Sequence, residues 1–122
     1  MIIVDTSVWI DHIRRSNADL LAMIGGGQVL HHPFVTAELA LGSIPDRQKF
    51  CAMLGRFPQV QPLETQVLVD FVVDRELYGT GIGMVDAHLL ATASSVEDTV
   101  VWASDKRLVE QAKRLGLAYD RA

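Results

Sequence analysis

The chain has 122 residues, 49% of them hydrophobic, with a net charge of -4 and a single cysteine. That length holds one domain with a proper core, over residues 1–122, and leaves no room for a second. The lone Cys51 excludes an internal disulfide or a thiolate zinc site, no apolar run approaches bilayer length, and the start lacks the pattern of a signal peptide, so a soluble cytoplasmic protein without membrane association is expected.

Residues 1–5 (Met-Ile-Ile-Val-Asp) form a short apolar run without alternation, the pattern of a buried strand. Thr6 or Ser7 is placed to cap a helix over 8–14, with Val8, Trp9, Ile10 and Ile13 for the core. A helix over 18–24 stops at Gly25-Gly26-Gly27. Val29 and Leu30 read as a brief strand, and Pro33 suits the first turn of a helix over 33–41, closed by Gly42. A helix over 45–54 follows, in which Cys51 reads as a core thiol, then a weak strand over 60–63. A long helix over 65–77 sets Val67, Leu68, Phe71 and Val72 on one face, and residues 78–83 make a glycine-rich loop. Residues 84–94 read as a helix, 99–103 as a strand, 105–115 as a helix stopped by Gly116, and 117–119 as an edge strand. Strands alternating with helices predict a three-layer α/β/α sandwich around a short parallel sheet.

In such a sheet, ligands bind outside the carboxyl ends of the strands, at a switch in strand order. Asp5 and Asp105 both fall at such ends, each leading into a helix, where a helix-start role also accounts for them. Glu38 and Asp86 fall among apolar helical neighbours: Phe34, Val35 and Leu41 around the first, Ile82, Leu89 and Leu90 around the second. The structural alternatives are a buried ion pair for Glu38 and a capping-box role after Gly83 for Asp86. Four converging carboxylates repel one another, and oxygen-only ligands suit Mg²⁺ or Mn²⁺. Hydrolysis of phosphodiester bonds by metal-activated water is the chemistry that fits them best, with the hydroxyls of Thr6, Ser7 and Ser104 supporting the ligands.

The other polar residues read as ordinary. Asp11 precedes Arg14 and Arg15 as a surface pair, Asp70 and Asp74 lie on a polar helix face, and the four histidines make no metal pattern. Net negative charge argues against nucleic-acid binding through a basic patch, although bound metal offsets an acidic site. The apolar composition, with mean hydropathy +0.21, predicts surface buried against another chain. The helix with Val67, Leu68 and Phe71 and the first helices with Trp9, Ile13, Leu20 and Leu21 are the expected faces.

Met1-Ile2-Ile3-Val4-Asp5-Thr6-Ser7-Val8-Trp9-Ile10, Glu38 within Val35-Thr36-Ala37-Glu38-Leu39, Gly83-Met84-Val85-Asp86-Ala87-His88-Leu89-Leu90-Ala91 and Ala103-Ser104-Asp105, in that order and spacing, resemble the PIN domain. The length and opening resemble the VapC-type toxins of prokaryotic toxin–antitoxin pairs. The resemblance implies a Mg²⁺- or Mn²⁺-dependent endoribonuclease whose acidic quartet is Asp5, Glu38, Asp86 and Asp105. It also implies a homodimer, an inhibitory antitoxin, and operator DNA bound only through their complex. Two departures stand out: Gly83 replaces a frequent Ser or Thr, and Ser104 a common Thr. A dehalogenase-type phosphatase needs an acid at position 7, where Ser7 stands, and a receiver domain needs a middle-strand Asp that residues 60–63 do not offer. A flap-type DNA nuclease needs additional DNA-binding elements. A PIN-like scaffold acting mainly through antitoxin and operator binding is the remaining alternative.

Overall fold

The computed structural model describes residues 1–120. Its elements run β1 (Ile2–Val4), α1 (Thr6–Arg14), α2 (Ala18–Gly25), β2 (Val29–Leu30), α3 (Pro33–Leu41), α4 (Arg47–Leu54), α5 (Thr65–Asp74), α6 (Met84–Ser95), β3 (Val100–Trp102) and α7 (Lys106–Arg114). The three strands are parallel, in the order β2-β1-β3. Ile2 and Ile3 pair with Val29 and Leu30 on one side and with Val100 and Val101 on the other. β1 is therefore central, and strand order reverses at it. The chain leaves β1 toward β2 and returns on the far side as β3, which opens a crevice at the carboxyl ends of β1 and β3. The α/β/α architecture expected from the sequence is the one observed.

The core explains why short strands suffice. Ile3, Val4 and Val101 are buried against Trp9, Leu20, Val35, Leu39, Leu89, Leu90 and Leu108 from helices α1, α2, α3, α6 and α7. Trp9 has no exposed surface and stacks on Phe57 at 5.9 Å between centroids, with Phe50 edge-on at the same distance. Burying such side chains is worth about 1.5–3 kcal/mol each, enough to hold three-residue strands that would not persist alone.

Several boundaries differ from the sequence reading, each for a local reason. Asp5 itself caps α1 and Asp105 caps α7, so the helices begin at Thr6 and Lys106, and neither Thr6 nor Ser7 is the cap of α1. Asp46 adopts a left-handed conformation (φ 48°), which delays α4 to Arg47. Residues 60–63 form no strand, because Pro58 and Pro62 remove donors on either side and pairing is limited to a bridge between His31 and Gln59. α5 ends at Asp74, and after Glu76 turns left-handed (φ 54°) Leu77 re-enters the interior as a buried residue. The expected edge strand at 117–119 is a bridge of Val101 with Ala118.

The expected partner faces shrink accordingly. Trp9, Leu20 and Leu68 lie inside the core, whereas Leu21 (51% exposed) and Val67 (49%) face outward. Leu41, counted with the apolar stripe of α3, is 89% exposed. Among the described residues no helix is long and apolar enough to cross a membrane.

Candidate active site

Asp5 is the anchor of the site. It ends β1, where its N–H donates to the Trp102 carbonyl of β3 (2.8 Å), and it is 4% exposed. Its Oδ2 accepts the Ser7 N–H (3.1 Å) and the Ser7 hydroxyl (2.5 Å). Ser7 Oγ in turn accepts the Ser104 N–H at 3.1 Å. One hydroxyl thus ties the acid at the end of β1 to the backbone just after β3, and fixes the crevice from both walls.

Glu38 reaches the site from α3. Its Oε1 accepts the Thr6 hydroxyl at 2.6 Å, so the second hydroxyl of the Asp5-Thr6-Ser7 run orients the second acid. Glu38 is exposed, and the buried ion pair considered for it is absent among the described residues. The reason is the narrow core face of α3: Val35 and Leu39 are buried, and Glu38 stands at the edge of that stripe. Beside it lies a cavity of about 200 Å³ walled by Ile10, Ile13, Leu39 and Ile44, with Arg14 at its rim.

Asp86, in the first turn of α6, is half-buried and accepts the Gly83 N–H at 3.3 Å. That is half of a capping box; Gly83 has no side chain to supply the other half. Asp105 is exposed and accepts the Arg107 and Leu108 N–H groups at 3.0 and 3.3 Å. Both acids therefore perform the helix-start work that the structural alternative assigned them.

Electrostatics nevertheless joins the four. The Asp86 carboxyl is raised to about 6 by burial, and further by the negative charges of Asp5, Glu38 and Asp105, against the opposing pull of the Gly83 N–H. No cationic side chain is ion-paired with any of the four among the described residues. The donor set, oxygen-only and uncompensated, fits Mg²⁺ or Mn²⁺. Among the described residues, however, no three acid, imidazole or thiol side chains stand close enough together to hold one ion. Asp86 and Asp105 each give one carboxyl oxygen to helix N–H groups, Oδ2 and Oδ1 respectively.

Ser104 does not support a ligand carboxylate through its hydroxyl. Its Oγ donates to Asp11 at 2.9 Å, so Asp11 is bonded across the crevice and not to Arg14 or Arg15. The sequence carried a signal for this contact: Ser7 and Asp11 are four residues apart on α1 and share the face turned to β3. The histidines take the interior. His31, His32 and His88 are all buried, and His32 meets His88 with ring centroids 5.7 Å apart. They still form no metal site among the described residues. His12 is half-buried and its Nδ1 accepts the Asn17 N–H (2.9 Å).

No protein-family model matches the chain. Ribonuclease VapC32 of Mycobacterium tuberculosis is 39% identical over 118 residues, which cover 97% of this chain and 95% of that protein, in both strains compared. The crystal structure of PAE2754 from Pyrobaculum aerophilum superimposes with a TM-score of 0.68 over 98% of this chain and 87% of its own, at 17% identity, a likeness of fold alone. With its PIN-like fold and that relative along nearly its whole length, the chain belongs to the VapC ribonuclease family.

Proposed function

We propose that this chain, as one PIN-like domain over residues 1–122, is the endoribonuclease toxin of a type II toxin–antitoxin pair. In this reading Asp5, Glu38, Asp86 and Asp105 hold Mg²⁺ or Mn²⁺. The observation that carries it is the raised Asp86 carboxyl, destabilised in its charged form by burial and by three other acids with no cation to offset them. A bound divalent ion would supply Lewis-acid stabilisation of the phosphorane charge and make water a competent nucleophile near neutral pH.

The protein's own residues prepare that chemistry. Ser7 fixes the Asp5 carboxylate with two hydrogen bonds and locks it to the Ser104 backbone. Thr6 holds Glu38 by its Oε1. The Asp86 carboxyl, pushed up to about 6 by burial, can take or release a proton at its Oδ atoms near neutral pH. In-line attack by water on phosphorus, with the 3′-oxygen leaving and taking up a proton, leaves 5′-phosphate and 3′-hydroxyl ends. A cognate antitoxin would bind the toxin and neutralise the pocket, an Arg among the acids being the simplest means. A homodimer and operator DNA bound through the toxin–antitoxin complex complete the proposal. Exposed Leu41, Leu21 and Val67 provide apolar surface for such contacts.

The test is cleavage of RNA by the purified protein with Mn²⁺, with Mg²⁺ and with EDTA, followed by end analysis of the products. Metal-dependent cleavage with 5′-phosphate ends is expected. Cleavage that persists in EDTA or in Asp5→Asn contradicts the proposal. Antitoxin binding without any cleavage would identify a scaffold instead.

A further inference from the structure

Four acids at the catalytic crevice repel RNA, and the whole chain carries a net charge of -4. Substrate must therefore be drawn in by a local concentration of positive charge. Helix α7 carries one: Lys106, Arg107, Lys113 and Arg114 against a single acid, Glu110, within nine residues. These are four of the eleven cations of the chain, and the helix starts directly after Asp105.

The four are not equivalent. Arg114 is consumed by the fold, its guanidinium bonding Gln111 (2.8 Å) and the Arg75 carbonyl (2.8 Å). Arg107 reaches across to the loop before α6, where Nη1 meets the Gly81 carbonyl at 3.4 Å. Gly81 has φ +87°, and a Cβ there would stand 3.1 Å from the Arg107 Cδ, so the glycine makes room for this crossing. Lys106 and Lys113 are different: both are exposed, and neither is ion-paired among the described residues. Leu108, Gln111 and Ala112 define the buried side of α7, which sets Lys106, Glu110 and Lys113 on the opposite, outermost side. Together with Ala103, Ser104 and Val109, these three line an open groove of about 420 Å³ that begins beside Asp105. The seven-residue spacing puts the two lysines about 10 Å apart along the helix.

We infer that this groove is the track along which the backbone of a single-stranded RNA enters the acidic crevice, with Lys106 and Lys113 contacting phosphates on one side of the scissile bond. The inference rests on the nuclease reading for its substrate. Charge complementarity decides the occupant: two exposed lysines, with no ion pair among the described residues, outnumber Glu110 along an open groove that takes in Ser104, the residue before Asp105. Two lysines about 10 Å apart against one acid suit a flexible phosphate backbone, whose successive charges both can meet.

The test measures binding of a fluorescently labelled single-stranded RNA in EDTA across a salt series, for wild type, Lys106→Gln, Lys113→Gln and the double variant. Each substitution should lower the slope of log affinity against log salt by about 0.7, and the pair by about twice that. Lys49→Gln on α4 should leave the slope unchanged. In Mn²⁺-supported cleavage the double variant should raise KM more than it lowers kcat. An unchanged slope in the double variant overturns the inference, as does a wild type that binds no RNA. So does equal competition by polyglutamate at matched charge, which would assign the groove to an acidic protein segment. Failure of the nuclease reading shows separately, as a wild type that cleaves nothing in Mn²⁺ whatever its salt slope.

Discussion

Two polar clusters sit in this protein, and they are frustrated in opposite directions. At the carboxyl ends of β1 and β3, the Asp86 carboxyl resists losing its proton because of burial and neighbouring acids. On the other side of α3 and α6, His31 and His32 resist gaining one, lowered to about 4 by burial, with His88 and His31 adding repulsion at His32. His88 is lowered by burial as well. The His32 Nε2 and His88 Nδ1 atoms are buried without a hydrogen-bond partner. The imidazoles spend their remaining polarity on structure: His32 Nδ1 caps α3 by accepting the Phe34 N–H (3.1 Å), and His31 Nε2 bonds the Thr36 hydroxyl (2.5 Å). Phe34 packs against both His32 and His88. The acids leave their charge uncompensated. Frustration that is closed off by aromatic packing belongs to the fold; frustration left open to a crevice belongs to the function.

If that division holds, the largest effects come from the acids and register in activity. Asp5→Asn and Asp86→Asn should each reduce Mn²⁺-supported RNA cleavage by several orders of magnitude while the proteins stay folded by circular dichroism. Wild-type-like rates in either variant break the comparison at its first step.

The histidines should dominate the pH dependence of stability. Their folded-state values lie below the unfolded value, so unfolding takes up protons as pH falls below about 6.5. His31 and His32 should each lose on the order of 2–3 kcal/mol of stability between about pH 6.5 and pH 4, with a plateau below. Asp86 runs the other way: its folded value of about 6 exceeds the unfolded 3.8, so it regains stability over pH 6 to 3.8. Urea unfolding across this range should show net acid destabilisation, steeper in Asp86→Asn than in wild type. A shallower curve in the variant contradicts the assignment.

Ser7→Ala removes the hydroxyl shared by Asp5 and the Ser104 N–H, and should cost about 1–2 kcal/mol in chemical denaturation. It should also lower the cleavage rate, because Asp5 loses its positioning. His88→Leu keeps the volume and removes an unpartnered nitrogen, so it should stabilise by about 1 kcal/mol and leave kcat within a few-fold of wild type. Asp11→Asn retains an acceptor for the Ser104 hydroxyl and should change neither property measurably.

The strands, the helix order and the four acids were legible because periodicity and position carry them. Ile2–Val4 and Val100–Trp102 are apolar runs ending near an acid, and the rule for parallel sheets converts those ends into a crevice. The cap of α1 is placed one or two residues late by the sequence, because an acid and two hydroxyls stand side by side and each can cap. Glu38 was read as buried because Leu41 was counted in a stripe that stops at Leu39. The histidine cluster was invisible for a stronger reason. His32 and His88 are 56 residues apart, and no local pattern announces a contact made between α3 and α6. Pairings that depend on tertiary packing leave no period in the chain.

The central claim is that the acid cluster is held for function at the expense of stability. The most direct measurement is the melting temperature of wild type and Asp86→Asn in EDTA and in Mn²⁺ at neutral pH, alongside RNA cleavage by the same samples. The account predicts that the variant melts higher in EDTA, by the equivalent of about 1 kcal/mol, gains little from Mn²⁺ and cleaves nothing, while Mn²⁺ stabilises the wild type. A variant that melts lower in EDTA, together with a wild type that Mn²⁺ does not shift, would show these acids to be helix caps and would contradict the account.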